Sequence, residues 1–476
     1  MIRPDINIGT SSKTLFRRMR DTVAVCLVNV RSNYLALASL FLWATAAADS
    51  NTWPPNKKTN EKAFALYSSC QTGDAESCTK LGLIYKHGRG VVQNDKRAIN
   101  LFRQACDIKG ARGCSNIGLM YALGRGVERD QSKAATLFGQ ACDGGYAPAC
   151  SNLGSMYRAG TGVTQSYEQA AALYRQACDK ENASGCRNLG VLYFEGKGVI
   201  QSYEQAAALY RQACDAEEST GCVGYGFMYQ KGKGVAQNDE RAVELYREAC
   251  DKGSTQGCSN LGFMYDKGRG VTQNVKRAVE LFRDACDTGN LNGCNSLAVM
   301  YRDGRGVAQD HQRSVELFRD ACDGAENGGC VGLGMAYLRG KGVSQSDEQA
   351  VVYFRQSCDL GSATGCDNLG FMYREGRGVE QNDKRAVELF RKACEGAEEA
   401  GCINLGMAYM RGKGVEQNDK RAVEIFHRAC DRKNAGGCRN LGFMYQEGKG
   451  VKRNDEEAVS LYRQACKLGD TESCNF

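Results

Sequence analysis

Apolar residues along this chain fall into two short helical patterns that recur together every 36 residues. In the stretch 258–293, taken as the type, Cys258 through Tyr265 carries apolar residues at helical spacing and predicts a helix A. Ala278, Val279, Leu281, Phe282 and Ala285 form the apolar stripe of an amphipathic helix B. Gly268 and Gly270 stop helix A and shape the loop between the two. Gly253 followed by Ser254 ends one helix and caps the next, as do Gly289-Asn290, Gly361-Ser362 and Gly469-Asp470. Eleven such units run from 78 through 473. A period this strict describes an array of small supersecondary units with no central core.

Some positions barely vary between units. Tyrosine stands seven residues after the first cysteine of every unit, from Tyr85 to Tyr445. Glycine stands four after it in ten units, and Ala298 is the exception. On helix B a small residue such as Ala98 or Ala278, once Ser314, lies four before an aromatic such as Phe102 or Phe282. Small residues let helices A and B approach, and the aromatics fill the space between turns. Proline is absent from the units except at Pro148. The copy Gln165–Asp179 recurs unchanged as Gln201–Asp215, which speaks for duplication of a scaffold.

The 36-residue grid also carries 24 of the 25 cysteines. First members are Cys70, Cys106, Cys142, Cys178, Cys214, Cys250, Cys286, Cys322, Cys358, Cys394, Cys430 and Cys466. Each has a partner eight residues later: Cys78, Cys114, Cys150, Cys186, Cys222, Cys258, Cys294, Cys330, Cys366, Cys402, Cys438 and Cys474. Eight residues within one helix separate Cα atoms by about 12 Å. A disulfide needs less than about 7 Å, so a local bond requires a chain reversal, which Lys109-Gly110 is placed to supply. A rival pairing joins Cys114 to Cys142 across one helical hairpin, but it strands Cys70 and Cys474. The local scheme uses every cysteine of the grid. Each bond then closes a loop of about nine residues, worth roughly 2–3 kcal/mol in the chain-entropy model.

Composition and the N-terminus sharpen this picture. Only 42% of residues are apolar, a thin core per unit, so covalent staples make physical sense. Paired cysteines at this density fit an oxidising compartment. Residues 1–34 carry Arg3, Lys13, Arg17, Arg18, Arg20 and Arg31, followed by the apolar run Leu35–Trp43 and an Ala-x-Ala signal ending near Ala48. This predicts a signal peptide over 1–48 and a secreted or periplasmic protein, with Met19 as an alternative start. An arginine-rich leader also fits a mitochondrial presequence, which makes the intermembrane space the alternative address. The odd cysteine, Cys26, leaves with the leader. Residues 49–60 read as a polar linker, 61–77 as an N-terminal capping helix and 474–476 as the end of the C-terminal cap. Without residues 1–48 the net charge falls from +7 to +3, which gives no reason to propose a nucleic-acid partner.

The pattern Leu-Gly-x-Met-Tyr, then Gly-x-Gly-Val, then Ala and Leu-Phe/Tyr-x-x-Ala-Cys resembles the Sel1-like repeat, a relative of the tetratricopeptide repeat. The added Cys-x7-Cys resembles the Helicobacter cysteine-rich proteins in particular. The resemblance covers about 61–476. It implies an all-α fold: a right-handed α/α solenoid with one disulfide bridging each B–A junction. It also implies an exported protein, and penicillin binding or weak β-lactamase activity as described for some members.

A serine β-lactamase needs Ser-x-x-Lys, an alcohol motif and Lys-Thr-Gly. The relevant Ser-x-x-Lys is Ser77-Cys78-Thr79-Lys80, and no Ser-Asp-Asn or Lys-Thr-Gly accompanies it. Ser77 and Lys80 are therefore weak catalytic candidates without partner motifs. No metal site or cofactor is expected, because the cysteines are one another's partners and His87, His311 and His427 occupy different unit positions. The remaining expectation is a binding surface for a protein, a peptide or a cell-wall fragment, with a β-lactam as the alternative ligand. In tetratricopeptide-like solenoids helix A lines the concave face. Its third residue is Asn116, Asn152, Asn188, Asn260, Asn368, Asn404 or Asn440 in seven units. Such a row could hydrogen-bond an extended peptide, or each amide could bond a neighbouring helix end.

Overall fold

The computed structural model describes residues 60–396 and 398–475. The expected signal peptide over 1–48 and residues 49–59 of the expected linker lie outside the described residues. Two compact units divide the chain, 1–166 and 167–476.

The described part of the first unit holds α1 (Glu61–Gln71), α2 (Ala75–His87), α3 (Asp95–Asp107), α4 (Ala111–Leu123), α5 (Gln131–Asp143) and α6 (Ala147–Ala159). The second holds α7 (Tyr167–Cys178), α8 (Ala183–Glu195), α9 (Tyr203–Asp215), α10 (Ser219–Lys231), α11 (Asp239–Asp251), α12 (Thr255–Lys267), α13 (Val275–Asp287), α14 (Leu291–Asp303), α15 (His311–Asp323) and α16 (Asn327–Arg339). It continues with α17 (Asp347–Asp359), α18 (Ala363–Glu375), α19 (Asp383–Glu395), α20 (Glu399–Arg411), α21 (Asp419–Asp431), α22 (Ala435–Glu447) and α23 (Asp455–Lys467), and closes on a 3₁₀ turn at Thr471–Asn475. From α2 onward, even-numbered helices are the A helices and odd-numbered ones the B helices. Within each unit every helix packs on the next. Asn60, read as the last linker residue, is the N-cap of α1 and accepts from the Ala63 amide at 2.9 Å.

Local chemistry explains the boundaries. The B helices start at Asn, Asp or Ser caps, as at Asn274, whose carboxamide accepts from the Arg277 amide at 3.0 Å. The A helices end on a left-handed glycine, as at Gly268 with φ +62°. The second loop glycine, Gly270, does more than the sequence suggests. Its φ is +64°, and a Cβ there would run into the main chain of Asp239 in the preceding repeat. Gly270 therefore seats one repeat on the last. Gly253 has φ +83°, and Ser254 caps the Gly257 amide at 3.2 Å, as anticipated.

Packing follows the small-to-large rule. A Cβ on Gly262 would stand 2.8 Å from the Phe282 ring, so helices A and B meet through glycine and aromatic. The small residue before the cysteine of an A helix crosses the preceding B helix: a Cβ on Gly257 would meet the Ala249 Cβ at 2.7 Å. Phe282, Leu281 and Ala278 are buried, and burying one such large side chain is worth about 1.5–3 kcal/mol.

All twelve disulfides join cysteines eight apart, with Cα atoms 4.4–4.9 Å from each other. The reversal between Cys106 and Cys114 differs in detail from the expectation. The left-handed residue is Lys109, at φ +60°, while Gly110 takes the N-cap position of α4 without a side-chain cap.

Candidate functional site

Successive A helices lie side by side from α8 through α20 in the second unit, and as α2 and α4 in the first. No two successive B helices of the described residues pack as closely. The A helices therefore line the tighter, inner face of each stack.

The seven asparagines lie on this face, and none is fully exposed. Their partners differ. Asn116 and Asn368 donate to their own helices, to the Arg112 and Thr364 carbonyls at 2.9 and 3.0 Å. Asn260 accepts from Gln256 at 2.8 Å. Asn404 donates to Asp367 of the preceding A helix at 2.8 Å and accepts from Arg374 at 3.0 Å. Asn188 is buried, and Asn152 and Asn440 are half-buried. Several of these amides are thus engaged inside the fold, on their own helix more often than on a neighbour. Burial pushes the Asp367 carboxyl up, and the Asn404 hydrogen bond offsets part of that.

Another row on the same face escaped the sequence reading. The position three residues beyond each asparagine is apolar in ten of eleven units, with Ser155 as the exception. In the second unit this row comprises Val191, Phe227, Phe263, Val299, Met335, Phe371, Met407 and Phe443. Its members are half-buried, and Phe263 is 41% exposed. The signal was present as a position apolar in all units but one, yet helical periodicity assigns such a residue to the core. Only the one-sided packing of helix A leaves it at the surface.

Two inter-repeat ladders frame the face. Arginines of helix B donate to the tyrosine of the next A helix, as from Arg175 to Tyr193 at 2.8 Å and from Arg355 to Tyr373 at 3.1 Å. This gives the invariant tyrosine a polar role besides packing. In the second ladder a cation of the A–B loop meets the first residue of the preceding B helix, thirty positions earlier. Arg125 pairs with Asp95, Arg269 with Asp239, and Arg377 with Asp347. Where that first residue is Tyr203, the loop residue is Lys233, whose ammonium lies 4.5 Å from the ring centroid.

The catalytic candidates are engaged separately. Ser77 is a buried residue of the first turn of α2, and its side chain and amide are tied to the N-cap Asp74. Lys80 lies near Glu76 of its own helix at 3.6 Å. One group of metal-ligand type occurs among the described residues, Cys214, Cys222 and Glu248. Its two cysteines are disulfide-bonded to each other, which removes the thiolates a metal needs.

Comparison with known proteins agrees with the repeat. The Sel1 repeat model matches at 75–108, 111–146, 147–182, 183–217, 219–254, 255–290, 292–325, 329–362, 363–397, 400–434 and 435–470. Among curated proteins none matches the chain. The crystal structure of a protective antigen of uropathogenic Escherichia coli strains, displaying an SLR fold, is 30% identical. That alignment covers 87% of this chain and 89% of the antigen, with a TM-score of 0.50. A Sel1 repeat protein from Oxalobacter formigenes is 26% identical over 51% of this chain and 96% of its own, with a TM-score of 0.48. Helicobacter pylori cysteine rich protein B is 31% identical over 27% of this chain and 92% of its own, with a TM-score of 0.23. Eleven matched repeats that span most of the sequence establish that this chain belongs to the Sel1 repeat family.

Proposed function

We propose that the chain is an exported, disulfide-stapled scaffold whose inner face binds an extended peptide or protein segment. The apolar row from Val191 to Met407 carries this reading: it is partly open to solvent, runs along adjacent A helices and is flanked by amides. Apolar anchors beside hydrogen-bonding groups suit recognition of an extended chain. The cysteine content, with every described cysteine oxidised, supports an extracellular or periplasmic location.

The test is a random peptide library panned against the oxidised protein. Selected peptides should bind Phe263→Ser/Phe371→Ser at least tenfold more weakly, with unchanged circular dichroism. A library that yields no binder, or binders indifferent to the double substitution, overturns the reading. Turnover of a chromogenic cephalosporin that is lost in a folded Ser77→Ala variant would replace it with the β-lactamase alternative.

A further inference from the structure

Five rungs of the loop ladder have Gln131, Tyr167, Tyr203, Val275 or His311 in place of the aspartate, and the His311 rung differs from the rest in its surroundings. At the position taken by Asp95, Asp239 and Asp347, the unit that begins at Cys294 has His311. The loop residue thirty later, matching Arg125, Arg269 and Arg377, is Lys341. Where Tyr167 or Tyr203 replaces the aspartate, its ring takes the lysine; here the histidine and the lysine line one cleft. His311 Nδ1 is buried without a hydrogen-bond partner.

A cleft of about 480 Å³ opens at this rung, lined by His311, Lys341, Arg339, Arg302, Asp303 and apolar neighbours that include Met335. Asp303 is held by Arg302 at 2.7 Å, so that pair is neutralised. Arg339 and Lys341 make no ion pair among the described residues. Departures from the repeat gather at the same place. Gly332 stands where seven units have asparagine, and it also lines the cleft. Ser314, where other units have alanine, lines it too and donates to the Ala298 carbonyl at 2.8 Å.

We infer that this cleft is a carboxylate-binding subsite on the inner face, in which an acidic side chain or C-terminus of a bound peptide supplies the missing anion between His311 and Lys341. Two cations without ion pairs beside an imidazole whose Nδ1 is buried and unpartnered favour an anion, and a carboxylate is what the rungs of Asp95, Asp239 and Asp347 place there. The inference rests on the peptide-binding reading for its biological ligand, but the chemistry of the subsite is tested separately.

The full oxidised protein, labelled at methionine methyls, is titrated with three short probes that cannot span the apolar row. They are acetyl-Gly-Asp-Gly-amide, acetyl-Gly-Gly-Gly with a free C-terminus, and acetyl-Gly-Asn-Gly-amide. A saturable shift of the Met335 methyl is expected with either or both carboxylate probes, which also tells side chain from terminus, and none with the amide. His311→Asp restores the ladder's own anion, so it should weaken the carboxylate probes at least tenfold without lowering the melting temperature. Lys341→Met should weaken them similarly. Absence of a shift with both carboxylate probes, an equal response to the amide, or unchanged affinity in His311→Asp overturns the inference. So does a site that responds to inorganic phosphate and to neither carboxylate. Carboxylate binding here alongside a failed library selection would sink the peptide-scaffold reading and leave the subsite standing.

Discussion

Arg269 grips Asp239 through two hydrogen bonds, Nη2 to Oδ1 at 2.8 Å and Nε to Oδ2 at 2.9 Å, and so joins a loop of one repeat to the helix start of the last. Both side chains are partly exposed, which limits the energy, but the forked geometry recovers some of it. A double-mutant cycle of Arg269→Met and Asp239→Asn, read by urea unfolding, should give a coupling of about 1 kcal/mol. A coupling near zero would show that the rung is ornamental.

Gly262 and Phe282 set the distance between an A helix and its B helix. Gly262→Ala should cost about 1–3 kcal/mol, because the new methyl overlaps the ring. Phe282→Leu alone should also destabilise, but it should relieve part of the Gly262→Ala penalty. Additive losses in the double variant would mean that the two residues do not share one space.

Five residues other than glycine hold left-handed backbone among the described residues: Lys109, Glu181, Glu217, Ala325 and Lys433. Ala325, at φ +66°, occupies the slot that Gly253 and Gly289 fill elsewhere. Ala325→Gly should therefore raise stability by up to about 1 kcal/mol, after the entropy that glycine adds to the unfolded chain. A lower thermal midpoint would contradict the strain argument.

Removing one staple should loosen the array without abolishing its helices. Cys286→Ser with Cys294→Ser should lower stability by roughly 2–3 kcal/mol, because the short loop gains freedom when unfolded. Peptide mapping of the unreduced wild type should recover only links between cysteines eight apart. A Cys114–Cys142 peptide would overturn the pairing.

Asp367 gives the fold a pH signature. Burial lifts its carboxyl above the ordinary range, so the folded chain holds this proton more tightly than the unfolded one. Stability from this group is greatest in acid and declines as pH rises from the ordinary carboxylate value through the raised one. Asp367→Asn keeps an acceptor for Asn404 and removes the charge. Its stability relative to wild type should rise between about pH 3 and about pH 7, measured by urea midpoints. A flat difference would show that burial does not control this group.

Much was legible before any coordinates. The 36-residue period, the helix pair, the left-handed caps at Gly253 and Gly268 and the cysteine pairing follow from local rules. Helical spacing, capping chemistry and the reach of a disulfide each act within a few residues, so one sequence suffices to apply them. What lay beyond reach was every relationship between repeats. Gly270 looks like a turn glycine, yet its space is set by Asp239 in the repeat before. The invariant tyrosine looks like packing, yet its hydroxyl accepts an arginine from the preceding helix. The apolar row that includes Phe263 looks like core, because periodicity records that a residue is apolar and not whether a neighbouring helix covers it. His311 and Lys341 show no signal at all until residues thirty apart are placed side by side. Contacts across repeats depend on how one hairpin seats on the next, and that is decided only when the chain is stacked.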